Sequence, residues 1–180
     1  MESVRGLVWE HPLREITVKM IMEGTDLSRP SFYIHFNSVP ALIAETLSTL
    51  EPVLVEATLP WLASEGQSSE ELRAALARLL DLVAEDGAVF RACSEAATLD
   101  SDLAAAWEAF MGRWDVAVAN RIRVGQAGGY MSAEIDVEAT AFALNRMNSS
   151  MLIHAFGQRP QQDPERVLET IFRIWKRALY

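Results

Sequence analysis

The chain has 180 residues, half of them apolar, and a formal net charge of −9. That length fits one domain, or a small head joined to a larger body, with enough apolar residues for a substantial core. No apolar run reaches the roughly 18–20 residues of a membrane span. Glu2, Arg5 and Glu10 interrupt the start of the chain, so we also expect no secretory leader.

The predicted elements are almost all helical, because apolar residues recur every three to four positions and strand alternation is scarce. Turn signals spaced about 10 to 25 residues apart are typical of a helical array. The sequence therefore predicts an all-α fold of about nine helices, three in a head and six in a body. The head helices are expected over residues 2–10, from a Thr17 cap to about Glu23, and from a Ser28 cap to about Asn37.

The body helices follow from caps and breaks further along the chain. Six are predicted: from Ser38 to about Glu56 with a kink at Pro52, from a capping box at Ser68 and Glu71 through Val83, from the Asp86-Gly87 break to about Ala97, from Asp100 or Ser101 to about Gln126, from Asp136 to about Phe156, and from Asp163 to the end. We place the boundary between head (1–45) and body (46–180) inside the first of these. Residues 1–38 hold four basic and five acidic residues, so most of the negative charge lies in the body.

Residues 17–36 read TVKMIMEGTDLSRPSFYIHF, a short helix, a tight turn and a second short helix. This is the helix-turn-helix layout, in which the second helix enters the major groove of DNA. Four apolar residues are expected to form its small core, namely Val18, Ile21, Leu27 and Phe32. Arg29 suits a guanine edge or a phosphate, and the polar side chains that follow it suit phosphate oxygens. The alternative is a capped helical hairpin with no contact to DNA.

The run SRPSFYIHF resembles the recognition-helix signature of the TetR family, usually Ser-Arg-x-Thr-Phe-Tyr-x-x-Phe, and Ile-Thr-Val precedes it at the matching distance. The family has a glycine where this chain has Asp26, often a lysine where it has Val39, and a longer first helix. The resemblance implies that double-stranded operator DNA is the partner. It also implies a set of DNA-facing residues: Thr17, Lys19, Arg29, Ser31, Tyr33, Ile34 and His35.

In the body, Trp107, Phe110, Met111 and Trp114 follow the spacing i, i+3, i+4, i+7 and share one helical face. A later, mostly apolar helix carries Asn145 and Asn148. Such a stripe is often ordinary core. However, tryptophans are rarely buried completely, and buried amides need partners, so a small-molecule pocket is the second interpretation.

Three body segments, AAAWEAFMGRWDVAV, ALNRMNSSMLIHAF and IFRIWKRALY, are similar to the ligand-binding half of a TetR-family repressor with a long apolar channel. The resemblance implies that the last two helices pair in a homodimer. It also implies that Leu72 and Val83 occupy positions that are aromatic in that relative, as does one wall residue, Leu79. The implied wall consists of Leu79, Trp107, Phe110, Met111, Trp114, Asn145, Asn148 and Trp175.

The leading hypothesis is a cytoplasmic TetR-type repressor that binds operator DNA as a dimer and is released by a small apolar effector. Cys93 is the only cysteine, which excludes an internal disulfide and fits a reducing compartment. The three histidines lie far apart, and we expect no metal site, no cofactor and no enzymatic activity. Two alternatives stay open: a ligand- or partner-sensing helical dimer that has lost DNA binding, and a DNA-binding regulator with a collapsed pocket.

Overall fold

The computed structural model describes residues 1–26, 28–67, 69–98 and 100–180. Helices account for nearly all the regular structure of these residues, which contain no strand, so the all-α prediction is confirmed. The elements in chain order are α1 (Glu2–Glu10), a 3-10 turn (Leu13–Glu15), α2 (Val18–Glu23), α3 (Arg29–His35), α4 (Val39–Leu62), α5 (Ser69–Ala96), α6 (Ser101–Ala127), α7 (Val137–Phe156) and α8 (Pro164–Leu179).

The predicted break at Asp86-Gly87 is a kink inside α5 rather than a gap between two helices. Asp86 has non-helical torsions (φ −113°, ψ 16°), and the helix resumes at the next residue. The described residues therefore hold eight α-helices where about nine were expected. Beside the kink, Gly87 lies so close to the Phe156 carbonyl at the end of α7 that a Cβ atom would not fit there.

Helix α4 extends to Leu62, six residues beyond the predicted end at Glu56, and it contains Pro52 and Pro60. Its second half places Leu54 and Trp61 in the core. Burial of that apolar face offsets the cost of the prolines, since tertiary packing routinely overrides local preference.

Most of the observed helix N-caps are the ones that the sequence predicted. Side-chain oxygens of the residues before α2, α4, α6, α7 and α8 accept backbone N–H groups; these residues are Thr17, Ser38, Asp100, Asp136 and Asp163. Ser28 makes no such bond, and its hydroxyl lies 3.0 Å from that of Ser31. The predicted cap at Ser68 and the core role of Leu27 fall outside the described residues.

The head and the body form one packed unit. Helix α1 contacts α2 and α5, while α4 packs along α5 and α6, and α7 lies between α5, α6 and α8. The expected boundary between residues 45 and 46 falls within α4, which runs from the head into the body. Division into two domains stays a prediction.

In the described residues no single helix is long and apolar enough to cross a membrane. One bent pair, Arg29–His35 with Val39–Leu62 at 59°, meets that test by length and composition. Within the fold, Leu42, Ile43 and Leu47 of this pair are buried.

Candidate DNA interface and effector cavity

The head packs around a small apolar core. Val18 and Ile21 of α2 and Phe32 of α3 are buried, as the sequence predicted. The ring of Phe32 lies 5.3 Å from that of Tyr33 in an edge-to-face arrangement. On the other side, the Ser3 hydroxyl of α1 donates to the Ile21 carbonyl at 2.9 Å. Helix α2 is therefore held by α1, and α3 packs against α2.

The outer face of α3 is exposed, as a DNA-reading helix requires. Tyr33 and Ile34 are 54% and 77% exposed. Arg29 and His35 are also exposed, and Ser31 is half-buried. Within the described parts of the head, no carboxylate pairs with Arg29. Its guanidinium is therefore available for a bidentate contact to a guanine edge or a phosphate.

The two residues expected on α2 take different roles. Lys19 is exposed and lies 3.6 Å from Glu23 in a surface ion pair, which contributes little and can exchange for a phosphate. The Thr17 side-chain oxygen accepts the Met20 N–H at 3.3 Å, so it caps α2. Its hydroxyl hydrogen is still free to donate to a phosphate oxygen.

A cavity of about 790 Å³, counting all the space between its lining atoms and at its mouth, lies in the body between α4, α5, α6, α7 and α8. Its wall is mostly apolar. All eight residues expected to bind an effector line it: Leu79, Trp107, Phe110, Met111, Trp114, Asn145, Asn148 and Trp175. Their role in ligand binding stays a prediction. The aromatic stripe packs on itself, with the Trp107 ring stacked on Phe110 at 5.7 Å.

The cavity wall has few polar atoms, and only some of them have hydrogen-bond partners. The Asn145 amide nitrogen donates to Asp115 at 2.9 Å. By contrast, the Asn148 side-chain oxygen and the Trp175 ring nitrogen are buried without a hydrogen-bond partner among the described residues. A buried polar atom left without a partner costs free energy. Among the fully buried wall atoms of the described residues, one acceptor (Asn148) and one donor (Trp175) therefore have no hydrogen-bond partner.

Sequence reasoning missed part of the wall because its signals were weak. The predicted end of α4 at Glu56 left out Thr58 and Trp61, and the residues of α5 and α7 carry no pattern that separates cavity from core. The main additional lining residues are Leu54, Thr58, Trp61, Leu76, Phe90 and Ser149. The buried apolar positions of α5, at spacings of three and four, could have indicated this wall.

A cluster around a buried arginine adjoins the cavity wall at Trp61. The Trp61 ring meets the Trp175 ring edge to face at 5.7 Å. Behind it, Arg121 is 1% exposed and donates to the carbonyls of Trp61 (3.0 Å) and Gly66 (2.7 Å) and to the Tyr130 hydroxyl (2.8 Å). The cation also lies at the C-terminus of α4, where the helix dipole favours positive charge.

The junction between head and body is held by a second arginine. Arg91 of α5 donates to the Val8 carbonyl of α1 at 2.6 Å and to the Gly157 carbonyl after α7 at 2.8 Å. One turn before Val8 in α1, the Arg5 Nε atom lies 3.4 Å from the Asp86 carboxylate at the α5 kink. Burial raises the pKa of Asp86 in spite of this partner. The α5 kink therefore touches α1 directly, and Phe90 beside it lines the cavity.

No group of three potential metal ligands occurs in the described ranges of the chain. Burial raises the pKa of the Cys93 thiol to about 12, so the thiol stays protonated at neutral pH and packs as an apolar group.

A helix-turn-helix head joined to a helical body that encloses an apolar cavity is the architecture of a ligand-responsive transcription regulator. The family "Transcriptional regulator EthR, C-terminal domain" matches residues 72–180. The HTH-type transcriptional regulator EthR of Mycobacterium tuberculosis is 27% identical over 186 residues, which covers 100% of this chain and 85% of the relative.

Solved structures show the same fold. The fatty acid degradation regulator FadR from Bacillus halodurans superposes with a TM-score of 0.80 at 11% identity, over 97% of this chain and 91% of that one. The TetR-family regulator PfmR from Thermus thermophilus gives 0.78 at 20% identity, over 99% and 97%. Because the family match spans more than half of its length, the chain belongs to the EthR family of TetR-type transcriptional regulators. It is a TetR-type transcriptional regulator, and the resemblance drawn from its sequence is confirmed.

Proposed function

We propose that the protein binds operator DNA as a homodimer in the cytoplasm, through α2 and α3, and releases it when an elongated apolar effector fills the body cavity. The observation that carries this proposal is the cavity itself, an apolar space with one unmet donor and one unmet acceptor in its wall. A void of this kind loses packing contacts and leaves polar groups unsatisfied. An effector that fills it restores both.

The apolar wall and its two polar atoms without hydrogen-bond partners define the chemistry of the effector. Its long part is apolar and contacts the aromatic stripe of α6. It carries a hydrogen-bond acceptor within reach of the Trp175 ring nitrogen and a donor within reach of the Asn148 oxygen. Asn145 is held by Asp115 and serves mainly to shape the wall.

The route from cavity to head runs through α5. Phe90 lines the cavity, and Arg91 beside it bonds to the carbonyl of Val8 in α1. An effector that displaces this part of α5 moves α1 and the recognition helix with it. The effector shifts DNA affinity only by its preference for one body geometry, typically about 1–3 kcal/mol, and DNA weakens effector binding by the same factor.

Replacing Arg29 with alanine is expected to lower affinity for specific DNA about 5- to 150-fold, because a bidentate contact to a base or phosphate contributes roughly 1–3 kcal/mol. The test is fluorescence anisotropy with duplex DNA from upstream of the protein's own gene, at two salt concentrations. Arg113→Ala, which removes the same charge from the body, is the matched control and should leave DNA affinity unchanged.

If wild-type protein shows no sequence-preferring binding to such DNA, the operator-binding proposal is wrong. The near-neutral head and nine-residue α1 would then belong to a ligand-sensing dimer. If both variants lose affinity equally, Arg29 has no specific role.

Hexylbenzene, an apolar probe of the cavity, is expected to bind and to raise the melting temperature, since ligands that bind only the folded state stabilise it. Ala75 is buried in the cavity wall, so Ala75→Leu fills part of the space and should weaken binding at least about tenfold. Exposed Ala105 on α6 supplies the control, Ala105→Leu. Tryptophan fluorescence reports binding, and equal affinity in both variants would place the probe elsewhere.

The proposed dimer face lies on α7 and α8, where large apolar side chains are exposed. Phe142 is 52% exposed and Ile174 is 39% exposed. Phe142→Glu should convert the dimer to a monomer in sedimentation velocity, because it introduces a charge into an apolar contact. Val116→Glu on α6, at an equally exposed apolar position, is the control and should stay dimeric. A dimeric Phe142 variant would exclude this face.

A further inference from the structure

A second cleft adjoins the cavity on the side of α5 and α7, with about 940 Å³ of space that includes its open mouth. We call it the polar cleft. It shares four wall residues with the cavity, Trp107, Met111, Ser149 and Ile153. The two spaces therefore adjoin at these side chains, and a molecule long enough to extend from the cavity past Trp107 would enter the polar cleft.

Most charged groups of the polar cleft are already paired, but Arg146 Nη1 is buried without a hydrogen-bond partner among the described residues, and His154 also lines the cleft. Arg91 bonds to two backbone carbonyls and lies 3.4 Å from Glu95. Arg146 lies 3.4 Å from Glu108 and 3.3 Å from Asp115. A carboxylate brought into the cleft would meet these acidic groups, and an ammonium would meet the two guanidinium groups.

The neutral polar groups of the polar cleft are free. Ser94 of α5, Ser149 and Ser150 of α7, and Gln158 after α7 line it. Among the residues that the structure describes, their side chains form no hydrogen bond. A hydroxyl or an amide can both donate and accept, so this set matches an uncharged ligand group that does the same.

We propose that the polar cleft holds an uncharged, hydrogen-bonding end of the effector, such as an amide or alcohol, while the rest of the effector, a mostly apolar chain with the polar groups that meet Asn148 and Trp175, occupies the cavity. This inference rests on the proposed function and specifies the class of effector, an elongated neutral amphiphile. Apolar contact with the cavity gives affinity, and the serines of the polar cleft select the end group.

The test compares decanamide, decanoate, decylammonium and hexylbenzene by isothermal titration calorimetry on the full-length protein. Wild type should bind decanamide at least about tenfold more tightly than either ion. The double variant Ser94→Ala with Ser150→Ala should lose about tenfold in decanamide affinity, because two hydrogen bonds are removed. Its affinity for hexylbenzene should not change. Ser101→Ala, an exposed serine at the start of α6, is the control.

The outcomes separate this inference from the proposed function. If the double variant binds decanamide as tightly as wild type while hexylbenzene still binds, the polar-cleft inference is overturned and the cavity proposal stands. Decanoate binding as tightly as decanamide would also overturn it. If neither decanamide nor hexylbenzene binds wild type, the effector part of the proposed function fails, and this inference fails with it.

Discussion

Replacing Arg121 with alanine is expected to lower the free energy of unfolding by about 3–5 kcal/mol, because three oxygens lose a charged hydrogen-bond donor at about 1–3 kcal/mol each. The substitution leaves the carbonyls of Trp61 and Gly66 and the hydroxyl of Tyr130 without their donor. It also leaves a space beside the Trp61 ring, over which the guanidinium lies 5.6 Å from the centroid. Unsatisfied buried oxygens and lost packing act in the same direction.

Urea denaturation of wild type and variant measures the loss. Arg123→Ala, two residues further along α6, is the control because Arg123 is half-exposed and forms a surface ion pair with Glu138. Its removal should cost no more than about 1 kcal/mol. A similar stability change in both variants would show that the hydrogen bonds of Arg121 contribute little to the free energy of unfolding.

Gly87→Ala is expected to destabilise the protein by about 2–3 kcal/mol, although glycine-to-alanine changes inside helices usually stabilise. A Cβ atom at this position would lie 2.3 Å from the Phe156 carbonyl oxygen and 2.6 Å from its carbon. Both atoms belong to the α7 backbone, so no side-chain rotation relieves the clash. The α5 kink and the end of α7 would have to separate, which strains the Arg91 bonds to Val8 and Gly157.

The matched substitution is Gly112→Ala on α6, where a Cβ atom meets nothing within 4 Å. There alanine should stabilise the protein by up to about 1 kcal/mol, because it restricts the unfolded chain and favours the helix. Thermal melts of the two variants should therefore shift in opposite directions. If the melting temperature of Gly87→Ala equals or exceeds that of wild type, α5 and α7 can separate at this contact without loss of stability, and the prediction is wrong.

The two positions differ only in their surroundings, which explains the limits of reading this chain from its sequence. Gly87 and Gly112 both lie in helical segments, and although Asp86-Gly87 predicted a break, nothing in the neighbours of Gly87 along the chain indicated its contact with the end of α7. The same holds for Arg121 and Arg123, of which one is buried against α4 and the other faces outward. Burial depends on which helices meet, and that information is not local.

Some features followed from the sequence by itself, because they depend on interactions within a few residues. The all-α class, the caps at Thr17 and Asp163, the helix-turn-helix and the aromatic face of α6 are of this kind, since backbone capping and helical periodicity act over one or two turns. Tertiary structure decided the rest: the full length of α4, the continuity of α5 through its kink, the unmet polar atoms of the cavity and the polar cleft beside it. These features arise where distant segments pack, and the free energy of that packing exceeds the local preferences that the sequence displays.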